Sequence, residues 1–182
     1  MKVLPMATGA ALAALFLVGG CSRTATQDTA STDKATAGSV LARADIPRPP
    51  AIPDDATDAQ AAPLNDAGEI ASEISANTMI EQVPVNGGLA WREDGQVVRT
   101  ASQDGQRVAY FRAGERQPFL VQRGGLAFAY VNGRAELAYD SQGRPAPVPA
   151  AAIPEAERLA AQSRREREAA ERAPPENHAP GS

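Results

Sequence analysis

The chain has few of the residue types that catalytic and metal sites commonly use. Its 182 residues include one cysteine, Cys21, one histidine, His178, and one tryptophan, Trp91. A single cysteine excludes a disulfide within the chain. With only one histidine as well, zinc sites built from cysteine and histidine and histidine-dependent triads are excluded. We therefore expect no catalytic residues, no metal, no cofactor and no enzymatic activity.

A strong charge of either sign is also missing. Lysine and arginine together number 18, aspartate and glutamate 22, and the formal net charge is −4. The two signs are interspersed, so the chain has no basic stripe of the kind that nucleic-acid binding requires. Nucleic acid is not an expected partner.

A short apolar run lies near the start of the sequence. Lys2 is followed by an uncharged stretch over 3–20, whose most apolar part is 10–18. This is the length of the apolar region of a signal peptide and is short for a bilayer-spanning helix. The run ends in Val18-Gly19-Gly20-Cys21, an aliphatic residue, two small residues and a cysteine. It resembles the lipobox of bacterial lipoprotein precursors.

The resemblance implies that the Cys21 thiol is acylated with diacylglycerol, that the chain is cut before Cys21, and that the new amino terminus gains a further acyl chain such as palmitate. Ser22 stands where an aspartate would retain such a protein in the inner membrane, so the resemblance implies an outer-membrane location. We expect a periplasm-facing, lipid-anchored envelope protein, with exposure on the cell surface left open. The alternatives are an ordinary cleaved signal peptide with a free Cys21 and an uncleaved anchor helix, which the glycine pair disfavours.

The aromatic residues divide the remainder of the chain. After Phe16, all of them lie between positions 91 and 139, and a core needs such large apolar side chains. We predict a signal peptide over 1–20, a lipidated cysteine and disordered linker over 21–65, a small β-rich domain over 66–145, and a charged helix with a disordered tail over 146–182. The linker acts either as a tether that gives the domain reach or as a plain spacer.

Hairpin signals dominate the predicted domain. Asp94-Gly95 and Asn132-Gly133 suit two-residue turns, since both central positions need positive φ. The runs between turns predict about six short antiparallel strands in a meander: GLAWRE, QVVRTA, QRVAYFR, QPFLVQ, LAFAYV and RAELAYD. GGLAW at Gly87 recurs as GGLAF at Gly124, which indicates a duplicated hairpin. Several strands are apolar on both faces, so we expect the middle of the sheet to be covered.

Two helices are predicted beside these strands. Over 66–82, Ile70 and Ile74 share one face, and this helix is expected to pack on the sheet. Over 154–172, Leu159 is the only large apolar residue, which favours a solvated helix. The alternative is a docking helix that uses Arg158, Arg164, Arg165 and Arg167. The fold class expected is therefore mainly β, with one preceding short helix, a C-terminal charged helix and long disordered linkers.

The function expected is that of a structural or protein-binding lipoprotein at the outer membrane. Its partners would be the membrane, through the lipid, and another envelope protein or a cell-wall polymer. Aromatic rings exposed on the sheet, with Trp91 and Tyr139 as candidates, would make the contact. The alternative is a periplasmic module that binds a ligand or glycan. A pocket with converging polar groups favours the alternative, and a filled sheet favours the first hypothesis.

Overall fold

A computed structural model describes residues 46–174. The signal peptide, Cys21, residues 22–45 of the predicted linker and the tail from 175 lie outside the described residues. The elements are helices α1 (Asp58–Ala76) and α2 (Ile153–Arg172), a 3-10 turn at Ala150–Ala152, and strands β1 (Glu81–Val85), β2 (Gly88–Glu93), β3 (Gln96–Ser102), β4 (Arg107–Tyr110), β5 (Leu120–Arg123), β6 (Leu126–Val131), β7 (Arg134–Tyr139) and β8 (Pro145–Pro147).

The strands form one antiparallel sheet in chain order, with β1 and β8 at its two edges. The mainly β meander is thus confirmed, and the six predicted strands correspond to β2–β7. The two edge strands were missed. Both contain proline, Pro84 in β1 and Pro145 and Pro147 in β8, a residue that argues against a strand when sequence is read alone.

The tight turns adopt the predicted geometry. Asp94 and Gly95 have φ of 49° and 79°, and Asn132 and Gly133 have φ of 51° and 78°. Two consecutive positive φ values match the right-handed twist of the flanking strands. These turns connect β2 to β3 and β6 to β7.

Each face of the sheet is covered by one helix. On the first face, Leu64 and Ile74 of α1 pack with Trp91 and Tyr110 in one core cluster. On the second face, Leu159 of α2 packs with Phe111 and Phe128 in another. The covered sheet agrees with strands that are apolar on both sides.

Helix α1 is displaced toward the N-terminus relative to the predicted 66–82. It begins at Asp58, and the backbone N–H of Thr57 donates to Gln60 Oε1 at 3.0 Å. The early turns bury mainly small side chains such as Ala61 and Ala67, so they carry little apolar periodicity. The helix ends at Ala76, and residues 81–85 form β1 rather than its last turn.

The expectation of a solvated C-terminal helix was wrong. Helix α2 buries Ala156, Leu159, Ala160 and Ala170 against the sheet. Alanine contributes little to an apolar count, yet it lets a helix approach a sheet closely. Packing therefore relies on small side chains and on buried polar ones, which hydropathy does not reveal.

The repeated hairpin does not repeat its packing. Trp91 faces α1, whereas Phe128, its counterpart in the repeat, faces α2. Through the pairing of successive strands, Trp91 is in register with Ala129 and not with Phe128. A shift of one residue moves a side chain to the opposite face of a sheet.

Candidate binding surface beneath a proline strap

An extended segment that the sequence assigns to the linker packs on the domain. Residues 46–53, here called the strap, precede α1 and contain Pro47, Pro49, Pro50 and Pro53. Ile46 at its start is 5% exposed and belongs to the core cluster on the α1 face, and Ile52 packs against that cluster. The part of the predicted linker from residue 46 onward is therefore folded.

Two sheet side chains hold the strap by its backbone. Arg99 Nη2 donates to the carbonyl oxygen of Pro47 at 3.3 Å, and Gln122 Nε2 donates to that of Arg48 at 3.1 Å. Proline fixes φ and has no N–H, so the strap is stiff and offers carbonyls more than donors. Contacts of this kind recognise the main chain of an extended peptide and depend little on its side chains.

Gly143, in the turn before β8, allows the strap to approach the sheet. A β-carbon at this position would overlap the carbonyl oxygen of Ala51. Gly143 also has a φ of 73°, which glycine adopts without strain. The strap is thus seated on Arg99, Gln122 and Gly143.

The electrostatics under the strap centre on Arg99. Its side chain lies between two aromatic rings, with Cζ 5.1 Å from the Trp91 ring centroid and 5.3 Å from that of Tyr110. The three residues are direct cross-strand neighbours on β2, β3 and β4. Arg99 is only 4% exposed, and this burial lowers the pKa of its guanidinium.

Several polar atoms in this row are buried and lack a hydrogen-bond partner among the described residues. They are Arg99 Nε, Trp91 Nε1 and Tyr110 Oη, with Gln122 Oε1 in the adjacent row. Burial raises the pKa of Tyr110 to about 12, with Arg99 opposing the shift, so Tyr110 keeps its proton at neutral pH. Within residues 46–174, no carboxylate forms an ion pair with Arg99. The row thus holds three donors without an acceptor among residues 46–174, and the one acceptor that the strap supplies, the Pro47 carbonyl, is bound by Arg99 Nη2.

The two aromatic residues predicted as an exposed contact are both buried. Trp91 is 0% and Tyr139 1% exposed, and Tyr139 Oη donates to the Gln60 carbonyl of α1 at 2.8 Å. The expectation of exposed rings was therefore wrong, because α1 and the strap cover this face. Arg99 and Gln122 were not among the predicted contact residues. Their signal was a charged and an amide residue at inward positions of apolar strands.

The arginines predicted for a docking helix are not gathered on one surface. Arg167 is buried over the Phe111 ring at 5.2 Å, and Arg158 pairs with Glu155 at 2.7 Å. Arg164 donates to Gln117 at 2.9 Å. The end of α2 is instead held from the sheet, where Arg92 Nη1 donates to the carbonyls of Ala170 and Ala173 at 3.2 and 3.0 Å.

An open groove of about 450 Å³ runs between the strap and α1, bordered by Arg48, Pro50, Asn65 and Glu69. A second, of about 390 Å³, lies between the β4–β5 loop and the β6–β7 turn, beside Arg112 and Arg116. The described residues hold no cluster of three or more potential metal ligands. None of the helices in residues 46–174 has the length and hydropathy needed to cross a bilayer.

No protein-family model matches the chain, and neither a curated protein nor a solved structure matches it significantly.

Proposed function

We propose that this chain is a non-enzymatic, lipid-anchored lipoprotein of the bacterial outer membrane whose folded part binds or braces another envelope protein. The proposed lipid anchor is supported by the sequence Val18-Gly19-Gly20-Cys21, which follows an uncharged apolar run. Two or more acyl chains make membrane attachment durable without a spanning helix. Ser22 supports the outer membrane as the destination.

The geometry of residues 46–174 supports protein binding more than ligand binding. Helices fill both faces of the sheet, so the sheet lines no cleft of the kind that encloses a small molecule. The strap instead shows an extended polypeptide lying across strands and held by main-chain carbonyls. A surface that holds one peptide in this way is suited to hold another.

The second candidate is a module that binds a ligand or glycan in the envelope. The groove of about 450 Å³ between the strap and α1 favours it, because Asn65 and Glu69 supply polar groups beside prolines. Substituting Asn65 and Glu69 by alanine would abolish glycan binding if this candidate were correct. The same double variant leaves protein partners unaffected if the strap site is the one used.

Anchoring is tested with Cys21→Ser, with Ser22→Ala as the matched control. We expect the wild type and Ser22→Ala in the outer-membrane fraction. The Cys21→Ser variant should be soluble or accumulate as an uncleaved precursor. Intact-mass measurement should show a wild-type chain that begins at Cys21 with added acyl mass. Normal cleavage and membrane cofractionation of Cys21→Ser would refute the anchor.

Partner binding is tested by crosslinking in cells from photoreactive residues at exposed apolar positions. Leu126 and Val131, at the two ends of β6, are 52% and 55% exposed. A single discrete product from these positions, and none from a control site at the exposed Glu168 of α2, supports a defined partner. Unchanged mobility from every position would count against a protein-binding role.

A further inference from the structure

Arg99 carries a buried charge that nothing in the described structure balances. Arg99 is 4% exposed, and its one hydrogen bond to a described residue is to the Pro47 carbonyl. Burying a charge without an opposite charge is costly, and proteins normally pair it. The two aromatic faces at 5.1 and 5.3 Å offset part of that cost, but they leave Nε without an acceptor.

The neighbouring groups share this deficit. Trp91 Nε1 and Tyr110 Oη, on the same three-strand row, are buried donors that find no partner within residues 46–174. Buried polar atoms are nearly always hydrogen-bonded, so several in one place call for a specific explanation. All three groups lack the same thing, namely an acceptor. A carboxylate has two oxygens that accept about four hydrogen bonds, and arginine binds it through two parallel bonds.

We infer that the row Trp91–Arg99–Tyr110 is a carboxylate-binding site that the strap covers, and that an extended peptide carrying an acidic side chain displaces the strap to occupy it. This inference rests on the proposed protein-binding function and names the chemistry of the partner. The strap marks the path of the incoming chain, and Gln122 supplies a second contact to its backbone.

Displacement of the strap breaks few polar contacts, and the apolar contacts of Ile46 and Ile52 are ones that an incoming peptide with isoleucine at the same positions can replace. The polar contacts of the strap to Arg99 and Gln122 are two hydrogen bonds of 3.3 and 3.1 Å, both to carbonyls that any peptide possesses. It is joined to α1 through residues 54–57, so it can leave the sheet without unfolding that helix. As part of the same chain it competes at high effective concentration. A competing peptide must therefore bind more strongly than the strap. A charge-assisted hydrogen bond to Arg99, which the neutral Pro47 carbonyl does not make, supplies the additional affinity.

The experiment uses the full-length protein in detergent and three synthetic peptides. Their sequences are IPRPPAIP, which copies the strap, IERPPAIP, which has glutamate at the residue whose carbonyl Arg99 binds, and IQRPPAIP, its neutral isostere. Trp91 is the only tryptophan and contacts Arg99, so its fluorescence reports binding. We expect the glutamate peptide to bind at least tenfold more tightly than the glutamine peptide. Equal affinity of the two, or no binding of either, overturns the inference.

Variants of Arg99 and of the strap sharpen the outcome. Arg99→Met should abolish the preference for glutamate, while Arg99→Lys, which keeps the charge without the planar fork, should retain part of it. If Arg99→Met fails to fold, the reduced preference in Arg99→Lys decides. Ile46→Ser loosens the strap and should strengthen binding of all three peptides equally. A preference that persists undiminished in both Arg99 variants contradicts the site.

A final arm separates a peptide site from a general anion site. Acetate at millimolar concentration should compete weakly with the glutamate peptide, because it lacks the backbone contact to Gln122. Acetate that binds as tightly as the peptide overturns the peptide assignment. The Cys21→Ser fractionation is independent of this site. An anchored protein that binds none of the peptides would refute only the inference.

Discussion

Arg107 of β4 forms a buried ion pair with Glu166 of α2, which joins the sheet to a helix 59 residues later in the chain. The two residues are 8% and 7% exposed. They form the compensated counterpart of Arg99, a buried arginine on the opposite face of the sheet that pairs with no carboxylate of residues 46–174. The pair and the single arginine thus allow a direct comparison within one domain.

Arg107→Met should destabilise the domain much more than Arg99→Met. Removing one partner of a buried pair leaves the other charge uncompensated and costs about 3 kcal/mol. Arg99→Met leaves no charge behind, and the loss of its hydrogen bond and ring contacts is offset by the charge no longer being buried, so we expect a change of about 1 kcal/mol or less. Urea unfolding at pH 7 measures both. Equal losses would show that Arg99 is held for stability and not for binding.

The same pair predicts a pH dependence of stability. Burial raises the pKa of Glu166 above its ordinary value of 4.5, although Arg107 opposes the shift. A carboxyl whose folded pKa is raised contributes stability that is full below the unfolded pKa and is lost as pH rises through the folded pKa. The unfolding free energy of Glu166→Gln, relative to wild type, should therefore rise with pH above 4.5.

This prediction is checked by denaturant unfolding between pH 4 and pH 8. Glu157→Gln is the matched control, since Glu157 is an exposed carboxylate on the same helix. Its unfolding free energy supplies the baseline with which the profile of Glu166→Gln is compared. If the unfolding free energy of Glu166→Gln relative to wild type stays constant or falls as pH rises, the pKa of Glu166 is not raised by burial.

Gly143→Ala should unseat the strap. The added β-carbon overlaps the Ala51 carbonyl, and φ at Gly143 is positive. Gly95→Ala is the control because its φ of 79° is similar and its β-carbon would meet nothing within 4 Å. Both substitutions incur about 1 kcal/mol of backbone strain. Only Gly143→Ala should lower the free energy of unfolding by more than this amount. It should also change the fluorescence of Trp91 in the folded state. Identical behaviour of the two variants would argue against a seated strap.

Three tyrosines should respond differently to loss of the hydroxyl. Tyr130 Oη donates to the Ala156 carbonyl of α2 at 2.7 Å, and Tyr139 Oη to the Gln60 carbonyl of α1 at 2.8 Å. Tyr130→Phe and Tyr139→Phe should each lower the free energy of unfolding by about 1 kcal/mol, because a hydrogen bond is lost. Tyr110→Phe should leave the free energy of unfolding unchanged or raise it, since its buried hydroxyl has no hydrogen-bond partner in the described part of the chain. Thermal unfolding of the three variants tests the ranking, and a large loss in Tyr110→Phe would reverse the interpretation.

Strands and turns were predictable because their signals are local. Asn132-Gly133 fixes a turn by its own φ values, and the run Leu126–Val131 is both the predicted and the observed β6. Edge strand β1 escaped detection, since Pro84 interrupts the pattern and the pairing with β2 supplies what the local sequence lacks.

The strap and α2 depend on contacts between residues far apart in sequence. Arg99 binds a carbonyl 52 residues earlier, and Arg92 binds carbonyls 78 and 81 residues later. Composition marks residues 46–53 as linker, because prolines and small residues rarely form a core. Burial of Ile46 and the carbonyl contacts give the segment a fixed path. The candidate site could not be found from sequence because the aromatic residues that suggested a contact lie in the core beneath α1 and this segment.

The prolines in β1 and β8 have a consequence for crowded conditions. Exposed sheet edges can template strands of neighbouring molecules and so start fibrils. Pro84 on one border and Pro145 and Pro147 on the other withhold the backbone N–H groups that such growth needs. The covalent structure of the chain thereby disfavours amyloid-like growth through either border.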